Sequence, residues 1–187
     1  MSKIQEAIKT ILEEIGDDPN REGLLETPKR VEKMFNEIFE GLKYSNLDIA
    51  NMYNKTFSSN LCSLVTVKNI ECFSMCEHHL APMYDMYISI GYIPNGKVLG
   101  LSKFARIVEL VCKRPQLQEK ITTDIYEVLN HILNTNTIAI HIRAKHACMT
   151  MRGIKKGTAE TESLLLKGEF EINGNLQHQF LESLKDK

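Results

Sequence analysis

Apolar positions near the start of the chain recur at the spacing of an α-helix. They fall three or four residues apart between residues 3 and 16, and Gly16 follows the last of them. This pattern predicts an amphipathic helix that ends at the glycine. A second helix is predicted from Thr27-Pro28, as an N-cap followed by proline at the first helical position, to Gly41. The apolar stripe that we expect it to bury is Val31, Met34, Phe35, Ile38 and Phe39.

The rest of the chain combines strand patterns with one pair of helical patterns. Residues 43–62 are polar and irregular, so we expect a linker there. Two helices are predicted in the middle of the body, one capped by Ser102 and the other over roughly 116–133. A weakly helical segment is expected at 177–184. Alternating apolar residues predict strands around 65–67, over 86–92, at 98–100, over 137–143 and over 163–170.

This order of elements predicts the fold class. Strands clustered around a helical pair are typical of an α+β fold with an antiparallel sheet in the order β-β-α-α-β-β. A length of 187 residues suits one domain with a short extension. We therefore predict an N-terminal helical segment over residues 1–62 and a main domain over residues 63–187, joined as one continuous structural unit.

Charge and cysteine content narrow the class of protein. The chain has 23 basic and 24 acidic residues, which disfavours a globally basic nucleic-acid binder. No apolar run approaches the roughly 20 residues that a membrane span needs, and no export signal is evident, so we expect a cytoplasmic protein without a membrane partner. Five cysteines in such a compartment are expected to be free, metal-bound or catalytic.

The densest cluster of reactive side chains is Cys76-Glu77-His78-His79. A cysteine and a histidine three residues apart can bind one ion if the backbone makes a helical turn, and thiolate with imidazole is a ligand set that zinc prefers. The spacing also fits an alternative in which Cys76 is a small buried apolar residue and the two histidines are adjacent by chance.

Cys148 is the candidate for a third ligand. If the strand that begins at residue 137 continues, His146 and Cys148 point to the same face of the sheet. Three protein ligands with the fourth position left for water are the pattern of a catalytic zinc, whereas structural zinc takes four protein ligands. His78 and His146 are then candidates for moving protons. No histidine lies near the other cysteines, which we interpret as packing residues: Cys62, Cys72 and Cys112.

Cationic and carboxylate side chains offer two further candidate groups. Ser102, Lys103 and Arg106 lie near the start of a predicted helix, where free amide groups and the helix dipole attract phosphate. Each of these charges, like Arg152, also fits a solvated surface. Glu119 begins the next helix and either interacts with its dipole or accepts two parallel hydrogen bonds from an amidine-like edge such as that of guanine.

Taken in order, these motifs resemble the successive signatures of the GTP cyclohydrolase I family. The likeness extends from about residue 4 to the last helix. The N-terminal segment Thr27-Pro28-x-Arg30-Val31-x-Lys33-Met34 is also similar to that family. The four motifs of the body are Cys76-Glu77-His78-His79-Leu80, Gly100-Leu101-Ser102-Lys103-x-x-Arg106, Arg114-Pro115-Gln116-x-Gln118-Glu119 and His146-x-Cys148-Met149-x-x-Arg152-Gly153.

The resemblance implies a fold, an activity and an assembly. The fold is the tunnelling fold, assembled as a homodecamer with active sites between subunits. The activity is zinc-dependent hydrolysis of GTP at C8, with formate release and rearrangement to 7,8-dihydroneopterin triphosphate, the first step of tetrahydrofolate and pterin biosynthesis. One departure is Asp85-Met86, where the family commonly has Gly-Lys.

The resemblance also implies a role for each site residue. Each subunit is expected to hold one Zn²⁺ ion, although the ligand set tolerates iron as well. The implied zinc ligands are Cys76, His79 and Cys148, and the implied acid–base pair is His78 and His146. The implied substrate-binding residues are Gln118 and Glu119 for guanine, Ser102 near the ribose, Lys103, Arg106 and Arg152 for the triphosphate, and Arg30 and Lys33 from a neighbouring subunit.

Two other functions remain open from the sequence. Another tunnelling-fold enzyme acting on a pterin or deazapurine would share the sheet and the guanine-binding carboxylate but would not need the three metal ligands. A structural zinc module would need a fourth protein ligand.

Overall fold

The computed structural model describes residues 1–185, and the chain divides into two compact units, residues 1–40 and 41–187. The first unit contains α1 (Lys3–Glu14) and α2 (Thr27–Ile38). Both predicted helices are confirmed. The N-cap of α2 is Glu26, so Thr27 is the first helical residue and not the predicted cap.

The apolar stripes of α1 and α2 are not buried within the chain, contrary to the prediction for α2. No residue of either helix is buried. Ile15, just after α1, is 71% exposed, and Met34 in α2 is 45% exposed. The reason is the size of the unit, because two short helices alone provide no third layer that can cover a stripe on both.

The second unit begins with structure that the sequence pattern missed. Residues 43–62 were predicted to be irregular, yet they contain α3 (Asn46–Met52) and β1 (Thr56–Ser58). Ser45 and Asp48 form a capping box at the start of α3, and Ile49 of this helix is fully buried. Residues 41–62 therefore belong to the same compact unit as the sheet. The functional boundary predicted between residues 62 and 63 remains a prediction.

The remaining elements alternate strands and helices around one sheet. In chain order they are β2 (Val65–Cys76), β3 (Ala81–Tyr92), β4 (Lys97–Leu99), α4 (Leu101–Cys112), β5 (Pro115–Gln116), α5 (Gln118–Leu133), β6 (Ile138–His146), α6 (Ala147–Thr150), β7 (Thr161–Leu166), α7 (Glu169–Ile172) and α8 (Gly174–Leu184). None of the helices in residues 1–185 has the length and apolar character that crossing a bilayer requires.

Five strands form the main sheet in the order β5-β2-β3-β6-β7, and β1 pairs separately with β4. All neighbours in the main sheet are antiparallel except β5 and β2, which are parallel. One face of the sheet packs on α4 and α5, and every second residue of β3 and β6 on that face is buried. The predicted α+β class with an antiparallel sheet is therefore confirmed. The buried residues of this face include Met86, Ile88, Ile90, Ile140 and Ile142.

Several element boundaries differ from the prediction for local reasons. Ser102 is inside the first turn of α4, whose N-cap is Gly100. The last strand ends at Leu166 because Gly168 has a φ of 63°, and a Cβ there would lie 2.8 Å from the carbonyl oxygen of Asn136. The residues that follow, predicted as strand to 170, begin α7.

Asp85, at the position where the sequence departs from the family, lies in a β-bulge. The register of β3 against β6 shifts between Tyr84 and Tyr87, and Asp85 has a φ of 47°. Glycine adopts this left-handed conformation without strain, and aspartate tolerates it better than most residues do. The Asp85 carboxylate is 2.9 Å from Nζ of Lys145, so the departure adds an ion pair between β3 and β6.

Candidate functional site

The hairpin between β2 and β3 places two of the three predicted metal ligands. Cys76 ends β2 and pairs with Ala81 of β3, and the four residues between them form a turn in which Leu80 has a φ of 47°. Cys76 also pairs on its other side with Gln116 of β5. The turn brings His79 back toward the end of the strand. A turn that allows both residues of the Cys-x-x-His spacing to reach one ion is therefore present, although it is not part of a helix.

The third predicted ligand, Cys148, also lies beside Cys76 and His79, but it lies on a different element from the one that the sequence predicted. β6 ends at His146, and Cys148 lies on α6, so the argument that these two residues share one face of a strand is wrong. Antiparallel pairing of His146 with Met83 brings the start of α6 beside the hairpin. The ligand atoms of Cys76, His79 and Cys148 all lie within 4.8 Å of one another.

This group fits a metal ion by its chemistry. Two thiols and one imidazole are soft and borderline ligands suited to a divalent transition metal. Burial and the adjacent Cys76 raise the pKa of the Cys148 thiol, and a bound cation favours the thiolate instead. Nη1 of Arg152 donates to Nε2 of His79 at 3.0 Å, so this nitrogen carries no proton of its own. In residues 1–185, the metal-ligating group comprises three side chains.

Both histidines predicted to transfer protons are close to this group. Nδ1 of His78 lies 3.8 Å from Sγ of Cys76. Nε2 of His146, two residues before Cys148, lies 2.8 Å from Oε1 of Gln118. Burial lowers the pKa of His146, and the negative charge of Glu119 opposes this shift.

Gln118 has a role that the sequence did not indicate. It is 2% exposed, and its amide nitrogen donates to the carbonyl oxygens of Ile142 (3.3 Å) and Thr161 (3.0 Å) and to Oγ of Ser163 (3.1 Å). These bonds direct Oε1 toward His146. The direct contact of Gln118 with substrate remains a prediction, while the structure assigns it to positioning His146.

Glu119 differs from its neighbour because its side chain is exposed. Its carboxylate makes no hydrogen bond or ion pair with any residue in the described part of the chain. Together with Thr122, Thr123 and residues of β7, it lines a cavity of about 490 Å³. The carboxylate is therefore free to accept hydrogen bonds from a ligand in that cavity.

The predicted phosphate-binding residues on α4 make no hydrogen bond with the metal ligands of their own chain in the described residues, and their role remains a prediction. Ser102, Lys103 and Arg106 lie toward the N-terminus of α4, whereas Cys112 at its C-terminus contacts Cys72 of β2. A helix of twelve residues is about 18 Å long. Arg152, by contrast, lies within hydrogen-bonding distance of His79.

The two predicted contributions from the N-terminal segment, Arg30 and Lys33, both lie on α2 in the first unit. Along with Glu26, Lys29 and neighbouring polar residues of the same helix, they line a shallow cavity of about 370 Å³. Their role in substrate binding remains a prediction.

Comparison with known proteins identifies one family. A family model described as GTP cyclohydrolase I matches residues 4–185. A protein of Clostridium acetobutylicum named GTP cyclohydrolase 1 is 51% identical over 178 residues, which cover 92% of this chain and 91% of the relative. A protein of the same name from Clostridium botulinum (strain Loch Maree) is 48% identical over 184 residues, with 95% and 94% coverage. A third, from Ruminiclostridium cellulolyticum, is 46% identical over 185 residues, with 96% and 95% coverage.

Proposed function

Because the chain belongs to the GTP cyclohydrolase I family and is an enzyme of that family, we propose that it hydrolyses GTP at C8 and releases formate. The opened intermediate then rearranges and closes to 7,8-dihydroneopterin triphosphate, the entry to tetrahydrofolate and other pterins. The observation that carries this proposal is the Cys76, His79 and Cys148 group with His146 beside it. We place the reaction in the cytoplasm.

The ion proposed for this group is Zn²⁺, one per subunit. Three protein ligands leave a coordination position open, as catalytic zinc requires and structural zinc does not. Zinc would supply Lewis acidity that makes hydroxide available at neutral pH. Because iron suits the same ligands, metal analysis of the purified protein decides between the two.

His146 is proposed to protonate the ring nitrogen that is released when the purine opens. Its Nε2 donates to Gln118, so Nδ1 is the nitrogen through which the ring exchanges a proton. A lowered pKa keeps His146 mostly neutral near pH 7, which suits a group that must both gain and lose a proton during one turnover. His78 is the second proposed proton-transfer group, and it lies beside Cys76.

We propose that one set of residues binds the guanine base of GTP and a second set binds its triphosphate. The free carboxylate of Glu119 suits the N–H edge of guanine, which presents two parallel donors, with Gln118 adjacent. Arg152, already at the metal group, is proposed to bind the triphosphate together with Lys103 and Arg106. The remaining proposed contacts are Ser102 at the ribose and Arg30 and Lys33 from a neighbouring subunit.

These contacts favour a homo-oligomer, proposed to be the family's decamer of tunnelling-fold subunits. Lys103 and Arg106 make no hydrogen bond with the metal-ligating group of their own chain in the described residues, and we propose that a neighbouring copy supplies them. The outer edge of β2 is unpaired from Val65 to Ser74 in the described residues, and a strand of another subunit can pair there. The apolar residues left exposed on α1 and α2, which are Ile4, Ile11 and Met34, offer a further contact surface.

Formate release tests the proposal. Purified zinc-loaded protein is incubated with GTP, and formate and the pterin product are measured over time. We expect equal amounts of the two, with none from a Cys148→Ser variant. A protein that binds metal but releases no formate would be a structural zinc module, and pterin turnover without GTP hydrolysis would indicate another enzyme of the fold.

A further inference from the structure

Two cysteines outside the metal group lie side by side. Sγ of Cys72 in β2 is 3.7 Å from Sγ of Cys112 in α4. Cys112 is 1% exposed, whereas Cys72 is half-buried and lines a surface cavity of about 260 Å³. One thiol of the pair is therefore open to small reagents while the other is protected. The sequence indicated only packing for both.

We propose that Cys72 and Cys112 form a reversible disulfide when the protein meets a peroxide, and that this pair is an oxidative modification site. In a disulfide the two sulfurs are about 2.05 Å apart, so the pair closes by side-chain movement of less than about 2 Å. Neither residue is a metal ligand, and the proposal does not depend on the reaction that the enzyme catalyses.

The chemistry proceeds in two steps. The sulfur of Cys72 attacks one oxygen of hydrogen peroxide, the O–O bond breaks, and a sulfenic acid and one water form. The sulfur of Cys112 then attacks the sulfur of Cys72, the S–O bond breaks, and the departing hydroxide leaves as water with the proton of Cys112. In sum, two thiols lose two electrons and two protons while one peroxide becomes two waters.

The environment of each thiol sets this order. The hydrogen bond with Cys72 and complete burial raise the pKa of Cys112, which keeps it protonated and unreactive toward a free oxidant. Cys72 borders the cavity together with Glu109 and Lys113, so it meets the oxidant first. Cys112 is then within reach to resolve the sulfenic acid. The product ties β2, which ends at Cys76, to the C-terminus of α4.

Peptide mapping of the metal-loaded full chain tests the pair. Protein carrying Cys62→Ser, which removes the exposed thiol, is treated with hydrogen peroxide, alkylated and digested. We expect a peptide that joins Cys72 to Cys112, a mass loss of about 2 Da in the intact chain, and reversal by dithiothreitol. Both thiols should lose reactivity at one common rate. Metal content is measured before and after treatment.

Two single-cysteine variants test the separate roles of Cys72 and Cys112. Cys112→Ala should trap the sulfenic acid on Cys72 as a dimedone adduct, and Cys72→Ser should leave Cys112 alkylatable after unfolding. The proposal is overturned if the treated Cys62→Ser protein keeps both thiols free, or if oxidation joins only Cys76 to Cys148. It is equally overturned if the two thiols are lost at unrelated rates.

Discussion

Oε1 of Gln118 lies 2.8 Å from Nε2 of His146, and the amide nitrogen of the same glutamine donates to the carbonyl oxygens of Ile142 and Thr161. Carbonyl oxygens only accept hydrogen bonds, so the amide cannot be rotated by 180° without losing both. Its oxygen must therefore face His146, and the neutral imidazole carries its proton on Nε2. A buried side chain that touches β6 and β7 thus fixes which nitrogen of His146 exchanges protons.

Replacing Gln118 with methionine should lower kcat by about 10- to 100-fold, because an unanchored His146 loses one hydrogen bond and its fixed tautomer. Steady-state kinetics with GTP would show the effect, with KM changing less than kcat and metal content unchanged. His131→Ala, at an exposed position in the last turn of α5, is the control and should retain activity. An unaltered kcat in Gln118→Met would contradict the positioning role.

Cys148→Ser should remove the metal and turnover together, because one thiolate of a three-ligand group is replaced by a weakly coordinating hydroxyl. Metal analysis of the purified variant gives the result directly. Cys62→Ser, which alters an exposed thiol, should bind metal like the unmodified chain. Full metal occupancy in Cys148→Ser would exclude Cys148 as a ligand.

Apparent metal affinity should fall as the pH is lowered. Burial and the adjacent Cys76 raise the pKa of Cys148, so in the metal-free protein this thiol holds its proton into the alkaline range. Metal binding must displace that proton, and protons compete better at lower pH. Competition with a chromophoric chelator at pH 6.5 and pH 8 measures the effect. Equal affinity at both values would count against thiolate ligation.

Glu119→Ala should weaken GTP recognition on the order of 100-fold in kcat/KM, since the guanine N–H groups lose their acceptor. The comparison of GTP with ITP, which lacks the exocyclic amino group, refines the assignment. The unmodified enzyme should strongly prefer GTP, and the variant should discriminate little between the two. If ITP is as good a substrate as GTP for the unmodified enzyme, Glu119 does not read the guanine edge.

Asp124→Ala should destabilise the second unit by about 3–5 kcal/mol, because it leaves the charge of Arg114 buried without its partner. The Asp124 side chain is 3% exposed, and its oxygens lie 3.0 Å from Nη1 of Arg114 and 2.6 Å from Nζ of Lys120. Thermal unfolding at fixed protein concentration measures the loss. Lys120→Ala, which removes a half-exposed partner, is the control and should cost no more than about 1 kcal/mol.

Sequence periodicity predicted the elements that bury a regular stripe. β3, α4 and α5 were found because their apolar residues repeat at the spacing of a strand or a helix and pack on one another. The short helix α3 was missed because two of its seven residues, Ile49 and Ala50, are buried, which is too few for a detectable repeat. Burial of the α2 stripe was mispredicted because amphipathicity does not specify what covers a helix.

The sequence predicted the parts of the candidate site that residues close together in the chain form. It did not predict the parts that depend on tertiary contacts. The Cys-x-x-His spacing indicated the turn that joins Cys76 and His79. The approach of Cys148 depends on where β6 ends, which periodicity left undetermined. The orientation of Gln118 depends on carbonyl groups 24 and 43 residues farther along the chain, and no local pattern records them.

Cys76 is held by backbone pairing on both sides, to Ala81 of β3 and to Gln116 of β5. The protein thus differs from zinc fingers, whose chains fold only around the ion. Here backbone pairing in the sheet fixes the position of Cys76 before a metal binds. Folding of the chain therefore accounts for most of the conformational entropy lost in ordering this ligand, and metal binding accounts for little of it. We therefore expect that removal of the metal abolishes activity while the fold stays intact.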